Sequence, residues 1–170
     1  MAKLSEFTKN NLNKQGFEAL DDEAKACYAL PLRFTPALGT LLIILGLVLR
    51  SPVWIGAMAL VTLSGALFPR AMLIDLLYNL AVRHLFHAPA LPPTPTPRRF
   101  SYIISTSFLT ASSLSFYFGA SLLGIILGAF VVMGAATLTL SLWCLGSWYY
   151  HLFFRHPASK GKPVDVEFAK

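Results

Sequence analysis

Four apolar stretches, separated by polar or proline-bearing breaks, organise the chain: about residues 34–50, 53–69, 100–118 and 122–142. A helix needs roughly 20 residues to cross a bilayer core of about 30 Å, and ~17 suffice where flanking side chains reach the headgroups. Each stretch is therefore predicted to be a transmembrane helix. The fourth continues uncharged to Phe154, too far for one crossing, so the crossing is predicted to stop near Leu142. Residues 143–155 hold Trp143, Trp148, Tyr149, Tyr150, Phe153 and Phe154, and aromatic residues of this kind collect at the headgroup level. Gly146 is the expected bend. In residues 71–87, Leu73, Leu76, Leu77 and Leu80 recur at helical spacing while Asp75, Asn79 and Arg83 fall on another face. That pattern predicts an amphipathic helix lying in the interface, with a cytoplasmic extension of the second span as the alternative.

The remaining segments are polar. Residues 1–30 lack an apolar core, which argues against a cleavable signal. Within them, Asp21-Asp22 ahead of Glu23-Ala24-Lys25-Ala26 marks a capped short helix. Residues 88–98 carry Pro89, Pro92, Pro93, Pro95 and Pro97, the composition of an extended, semi-rigid spacer. Residues 156–170 form a basic tail, and residues 31–155 form the membrane domain.

Two short matches suggest a duplication. Arg33-Phe34 and Arg99-Phe100 are 66 residues apart, and His84-Leu85-Phe86 and His151-Leu152-Phe153 are 67 apart. Each half would be a basic-aromatic opening, a helical hairpin and an interfacial segment, both entering from the same side. The expected architecture is an all-α membrane protein of about four transmembrane helices, arranged as two parallel-repeat hairpins. An interfacial amphipathic or aromatic segment follows each hairpin.

Composition agrees with lipid as the solvent for much of the chain. Apolar residues make up 55% of the 170 and charged residues 13%, against roughly 25% charged in soluble domains. The net charge of +6 does not gather into a nucleic-acid-binding patch; the cations sit between the apolar runs. The N-terminal segment holds Lys3, Lys9, Lys14, Lys25 and Arg33, the central loop Arg70, Arg83, Arg98 and Arg99, and the C-terminal tail Arg155, Lys160, Lys162 and Lys170. The two short turns hold only Arg50. The positive-inside rule then puts both termini and the central loop in the cytoplasm.

Little within the spans offers chemistry. Apart from Arg50 at the edge of the first, they contain no Asp, Glu, Lys, Arg or His, the groups that proton relays and ion-coupled transport use. The third span is rich in Ser and Thr, and the fourth carries Gly124 and Gly128 four apart, a pairing suited to close helix packing. A polar path between the spans would instead make a passive small-solute transporter. Outside the spans, His84, His87, His151 and His156 lie near predicted boundaries. Anchoring explains them, although His84 and His151 could also serve as axial ligands to a haem or chlorophyll-type pigment. Cys27 and Cys144 show no disulfide or zinc spacing, and Cys144 with Cys27 is the candidate redox pair. Arg33, Arg83, Arg98 and Arg99 are candidate contacts for anionic lipid headgroups.

The runs Arg33-Phe34-Thr35-Pro36-Ala37, Asp75-Leu76-Leu77-Tyr78-Asn79, Arg83-His84, Pro97-Arg98-Arg99-Phe100 and Trp143-Cys144 occur in this order. Over about residues 30 to 155 they resemble the bacterial membrane proteins grouped as "domain of unknown function 4395". The resemblance implies a bacterial integral membrane protein of the cytoplasmic (inner) membrane. Many members pair a Cys-Pro near the N-terminus with a second cysteine beside the C-terminal one. This chain has Cys27-Tyr28 and a lone Cys144, so no thiol role and no catalytic residue carries over. The expected function is that of a non-catalytic accessory or scaffold subunit. Its expected partners are membrane lipids and other membrane subunits, with no nucleic acid, no metal and no cofactor called for.

Overall fold

The computed structural model describes residues 5–18, 20–69, 72–86 and 90–153, which are helical with no strand among them. Two short helices come first. Helix α1 (Glu6–Lys14) is capped by the Ser5 hydroxyl, and α2 (Asp22–Tyr28) by the Asp21 carboxylate, which accepts from the Ala24 amide at 2.7 Å. Both caps satisfy amides that have no partner within the helix. The tail and Pro-rich residues 154–170 and 87–89 lie outside the described residues, as do His87 and His156.

Helix α3 (Pro31–Val48) starts on a proline, as does α4 (Pro52–Leu67), where Ser51 adds a side-chain cap to the Trp54 amide. Proline is tolerated there because a first-turn amide needs no helical partner. Arg50, with φ of 48°, makes the left-handed turn between them. Next come α5 (Leu73–Leu77), a π-helical turn (Tyr78–Val82) and α6 (Arg83–Phe86), so the predicted amphipathic segment is helical but interrupted. Its leucines Leu73, Leu76, Leu77 and Leu80 are exposed, while Ile74 and Tyr78 are buried.

Helix α7 (Thr96–Tyr117) begins inside the expected spacer. The extended reading of residues 88–98 therefore fails over its last three residues. Pro97 sits in the first helical turn, where its missing N–H costs nothing. Gly119, with φ of +81°, turns the chain into α8 (Ser121–Ser141). The bend that follows is at Leu142, in the left-handed region with φ of 52°, and not at Gly146, which lies inside α9 (Leu145–Phe153).

Helix α4 packs on α7, α7 on α8 and α8 back on α3, which closes a four-helix ring. Ile43, Ile55, Ala59, Leu109, Phe116 and Val131 fill its centre. Glycines set the close approaches: a Cβ at Gly128 would lie 2.4 Å from Leu47 of α3, and one at Gly124 2.9 Å from Phe116 of α7. The N-terminal helices do not hang free. Leu12, Phe17 and Tyr28 pack with Leu32 and Leu142 over one end of the ring. Asn11 Nδ2 and Gln15 Nε2 donate to the carbonyls of Ser141 and Leu142 at 3.0 and 2.5 Å, occupying acceptors left open at the end of α8.

Two helical runs are long and apolar enough to cross a membrane, Asp22–Val48 and Ser121–Ser141. Helix α4 is apolar but only 16 residues long. In α8 only 17% of the apolar window is buried, and Leu122, Leu123, Phe130, Met133 and Leu140 face outward.

Candidate functional site

The polar side chains converge at the end of the ring where α3 and α7 begin. Pro36 lies inside α3 and has no amide hydrogen to give the Leu32 carbonyl one turn back. Arg98 Nη2 donates to that carbonyl at 3.3 Å. The guanidinium is buried, with the residue only 5% exposed, and its Nε has no hydrogen-bond partner. Arg98 lies within electrostatic reach of Asp75, Tyr102 and Cys144. The Tyr102 hydroxyl is buried beside the guanidinium without a well-aligned hydrogen bond.

Around this charge the neighbours are held by named contacts. The buried Thr35 hydroxyl donates to Asp75 Oδ1, which ties α3 to α5. Asp75 is the sole acidic residue between Glu23 and Asp165, and among the described residues no ion pair joins it to an arginine. On the other side, Ser101 Oγ lies 2.9 Å from Cys144 Sγ. A Cβ on Gly146 would fall 2.3 Å from that same Oγ, so α9 lies directly on the start of α7. Ser147, one residue further, is buried and its hydroxyl has no partner.

The remaining predicted residues are dispersed. Arg98, one of the candidate headgroup contacts, is buried, and its hydrogen bond goes to the carbonyl that Pro36 leaves open. Arg99 Nε and Nη2 donate to the carbonyls of Ala66 and Leu67 at 2.9 and 3.2 Å, closing the end of α4, where a cation is also favoured by the helix dipole. Arg33 and Arg83 are half-buried, and Arg33 Nε lacks a partner. Both cysteines are free thiols, Cys27 exposed on α2 and Cys144 6% exposed between α8 and α9.

His84 is exposed on α6, and the side chain of His151 lies outside the described residues. The two do not occupy matching positions. Helices α5 and α9 start 72 residues apart, so His84 falls eleven residues into its segment and His151 six into its own. The offset grows because α8 is 21 residues long and α4 only 16. A different pair of contacts does recur: Phe34 packs on Tyr78 at 5.3 Å and Phe100 on Tyr150 at 5.9 Å between ring centroids. Among the described residues no three of His, Cys, Asp and Glu gather to hold a metal.

Thr35, Ser101, Tyr102 and Ser147 were not singled out from the sequence as site residues. Two signals pointed toward them: the proline inside α3, which orphans a carbonyl, and the isolation of Asp75 as an acid. Residues 31–155, most of the chain and including Thr35, Asp75, Arg98, Tyr102 and Cys144, match the family described as Domain of unknown function (DUF4395). The chain belongs to the DUF4395 family. No curated protein and no solved structure matches it. The DUF4395 match begins at Pro31, so α1 and α2, which cover the polar end, lie outside the matched region.

Proposed function

We propose that this DUF4395 protein is a polytopic protein of a bacterial cytoplasmic membrane. In this reading α3, α4, α7 and α8 cross the bilayer, with both termini and the Arg98 end in the cytoplasm, and the protein acts as a non-catalytic accessory subunit of a larger membrane complex. One observation carries the reading: large apolar side chains face outward along α3, α4 and α8, while ionisable groups collect at one end. Exposed apolar surface beyond a few hundred Å² marks a partner or a lipid phase, and here it runs round the ring. The paired Phe34–Tyr78 and Phe100–Tyr150 contacts support two hairpins of like construction.

Two measurements test it. Single cysteines placed at Arg50 and Gly119 in a cysteine-free background should react with an impermeant thiol reagent from outside intact cells. Cysteines at Lys14 and Pro92 should react only after lysis, and labelling of all four from outside would overturn the topology. Affinity purification from native membranes in mild detergent should then bring stoichiometric partners with the protein. Migration as a lone species would overturn the accessory role.

A further inference from the structure

We propose that the Arg98 end of the ring binds a small oxyanion of the phosphate or sulfate class, gripped by the Arg98 guanidinium with the Tyr102 hydroxyl as a second donor. The buried groups there are mostly donors. A guanidinium carries five N–H groups and accepts nothing; one is used on the Leu32 carbonyl, the Tyr102 oxygen lies against the group, and Nε is left without a partner. The Tyr102 and Ser147 hydroxyls are likewise buried without well-made bonds.

A buried cation without a bonded counter-charge is strongly unfavourable, and water can satisfy its hydrogens but not its charge. Asp75 acts on this charge only from beyond ion-pair distance. One of its carboxylate oxygens is taken by Thr35, and no ion pair joins it to Arg98. Arg33, Arg83, Arg98 and Arg99 face that single carboxylate within residues 31–153, while the covering helices and their turn add Lys9, Lys14 and Lys25 and the carboxylates of Glu6, Glu18, Asp21, Asp22 and Glu23, so the pull on an anion comes from the unpartnered donors at Arg98 and not from the net field. An oxyanion presents several acceptors in the planar spacing that a guanidinium fork matches. The same chemistry is offered by free phosphate and by the phosphate of an anionic lipid headgroup at the predicted boundary.

The test uses the full chain purified in a non-ionic detergent. Inorganic phosphate and sulfate are titrated against sodium chloride at equal ionic strength, with the thermal unfolding midpoint as readout. The same readout is taken in nanodiscs of phosphatidylcholine with and without phosphatidylglycerol. A saturable rise with phosphate or sulfate but not chloride is expected if the source is the free ion. A rise only with phosphatidylglycerol assigns the headgroup. Arg98→Met should abolish the response, whatever the loss of its bond to the Leu32 carbonyl does to the ligand-free midpoint. Tyr102→Phe, which keeps the ring, should weaken the apparent affinity about tenfold. Should Arg98→Met fail to fold, Arg98→Lys and Tyr102→Phe carry the comparison, both with weakened responses. No saturable response to any of the three anions, or a response unchanged in the Arg98 and Tyr102 variants, overturns the proposal.

Discussion

Gly146→Ala tests how α9 is seated on the ring. The new Cβ would lie 2.3 Å from Ser101 Oγ and 2.7 Å from both the Cα and the Cβ of Ser101. A hydroxyl can rotate away, but a Cα cannot. Restoring ordinary contact with it moves α9 off α7 by roughly 0.7 Å, which a close-packed seam resists. Overpacking of this kind costs about 1–3 kcal/mol, and the upper part of that range applies where backbone is the obstacle. Alanine recovers up to ~1 kcal/mol of helix propensity over glycine. The net loss is then about 2 kcal/mol, or a fall of about 4–8 °C in unfolding midpoint for a chain of this size.

Gly134→Ala is the matched control. It has the same chemistry in α8 with no atom within 4 Å of the new Cβ, and should be neutral or slightly stabilising. Adding Ser101→Gly to Gly146→Ala removes two of the three clashes and should recover only part of the loss. A second readout follows α9 directly: in a Cys27→Ser background, maleimide should label Cys144 faster once α9 has moved. If Gly146→Ala matches Gly134→Ala in stability and leaves Cys144 labelling unchanged, the seating of α9 against Ser101 is wrong.

Three further outcomes are expected. Ser112→Ala removes the buried hydroxyl that donates to the Gly124 carbonyl at 2.7 Å; a loss of about 0.6 kcal/mol, ordinary for a hydrogen bond between apolar helices, should appear in unfolding curves. Asn11→Ala with Gln15→Ala removes both side-chain bonds from α1 to the end of α8, and at about 1 kcal/mol each should speed tryptic cleavage at Lys9 and Lys14 by tenfold or more. The hydrogen bond from Lys9 at 2.7 Å holds the Asp22 carboxyl below its ordinary 3.8. A lowered folded value adds stability above 3.8 and loses it as pH falls through that lower value. The contact between α1 and α2 should therefore persist at neutral pH and loosen only under acid, and Lys9→Met should return the Asp22 titration seen by NMR to about 3.8.

The helices were legible because their signals are local. Pro31, Ser51-Pro52 and Gly119 punctuate the apolar runs, and Asp21 caps α2 as its position implied. The start of α7 was missed because five prolines read as an extended strap, although a proline such as Pro97 fits a first helical turn equally well, and the two arginines after it go against the helix dipole. The bend at Leu142 was placed at Gly146 because glycine is the default residue for positive φ. Here glycine serves close approach, and a leucine takes the strained conformation. The N-terminal helices read as a free polar segment because their partners, the carbonyls of Ser141 and Leu142, are more than a hundred residues away. No periodicity reports a bond of that span.

The burial of Arg98 has the same kind of origin, and it joins fold to site. A proline at position 36 removes one amide hydrogen, and the carbonyl it strands belongs to Leu32, at the rim of the ring. Meeting that carbonyl with a neutral donor would have cost little, whereas meeting it with an arginine brings a full charge into a buried corner. That corner differs on its two sides. Thr35 near the start of α3 reaches the Asp75 carboxylate, while Ser101 near the start of α7 reaches the Cys144 thiol. Arg98 thus has a carboxylate held from the start of α3 and a thiol held from the start of α7 within its electrostatic reach. A purely structural bond to Leu32 would explain the position of the guanidinium. It would not explain why Nε is left without a partner while the Tyr102 and Ser147 hydroxyls at the same end also lack well-formed bonds, and that unspent donor capacity is what the proposed oxyanion would use.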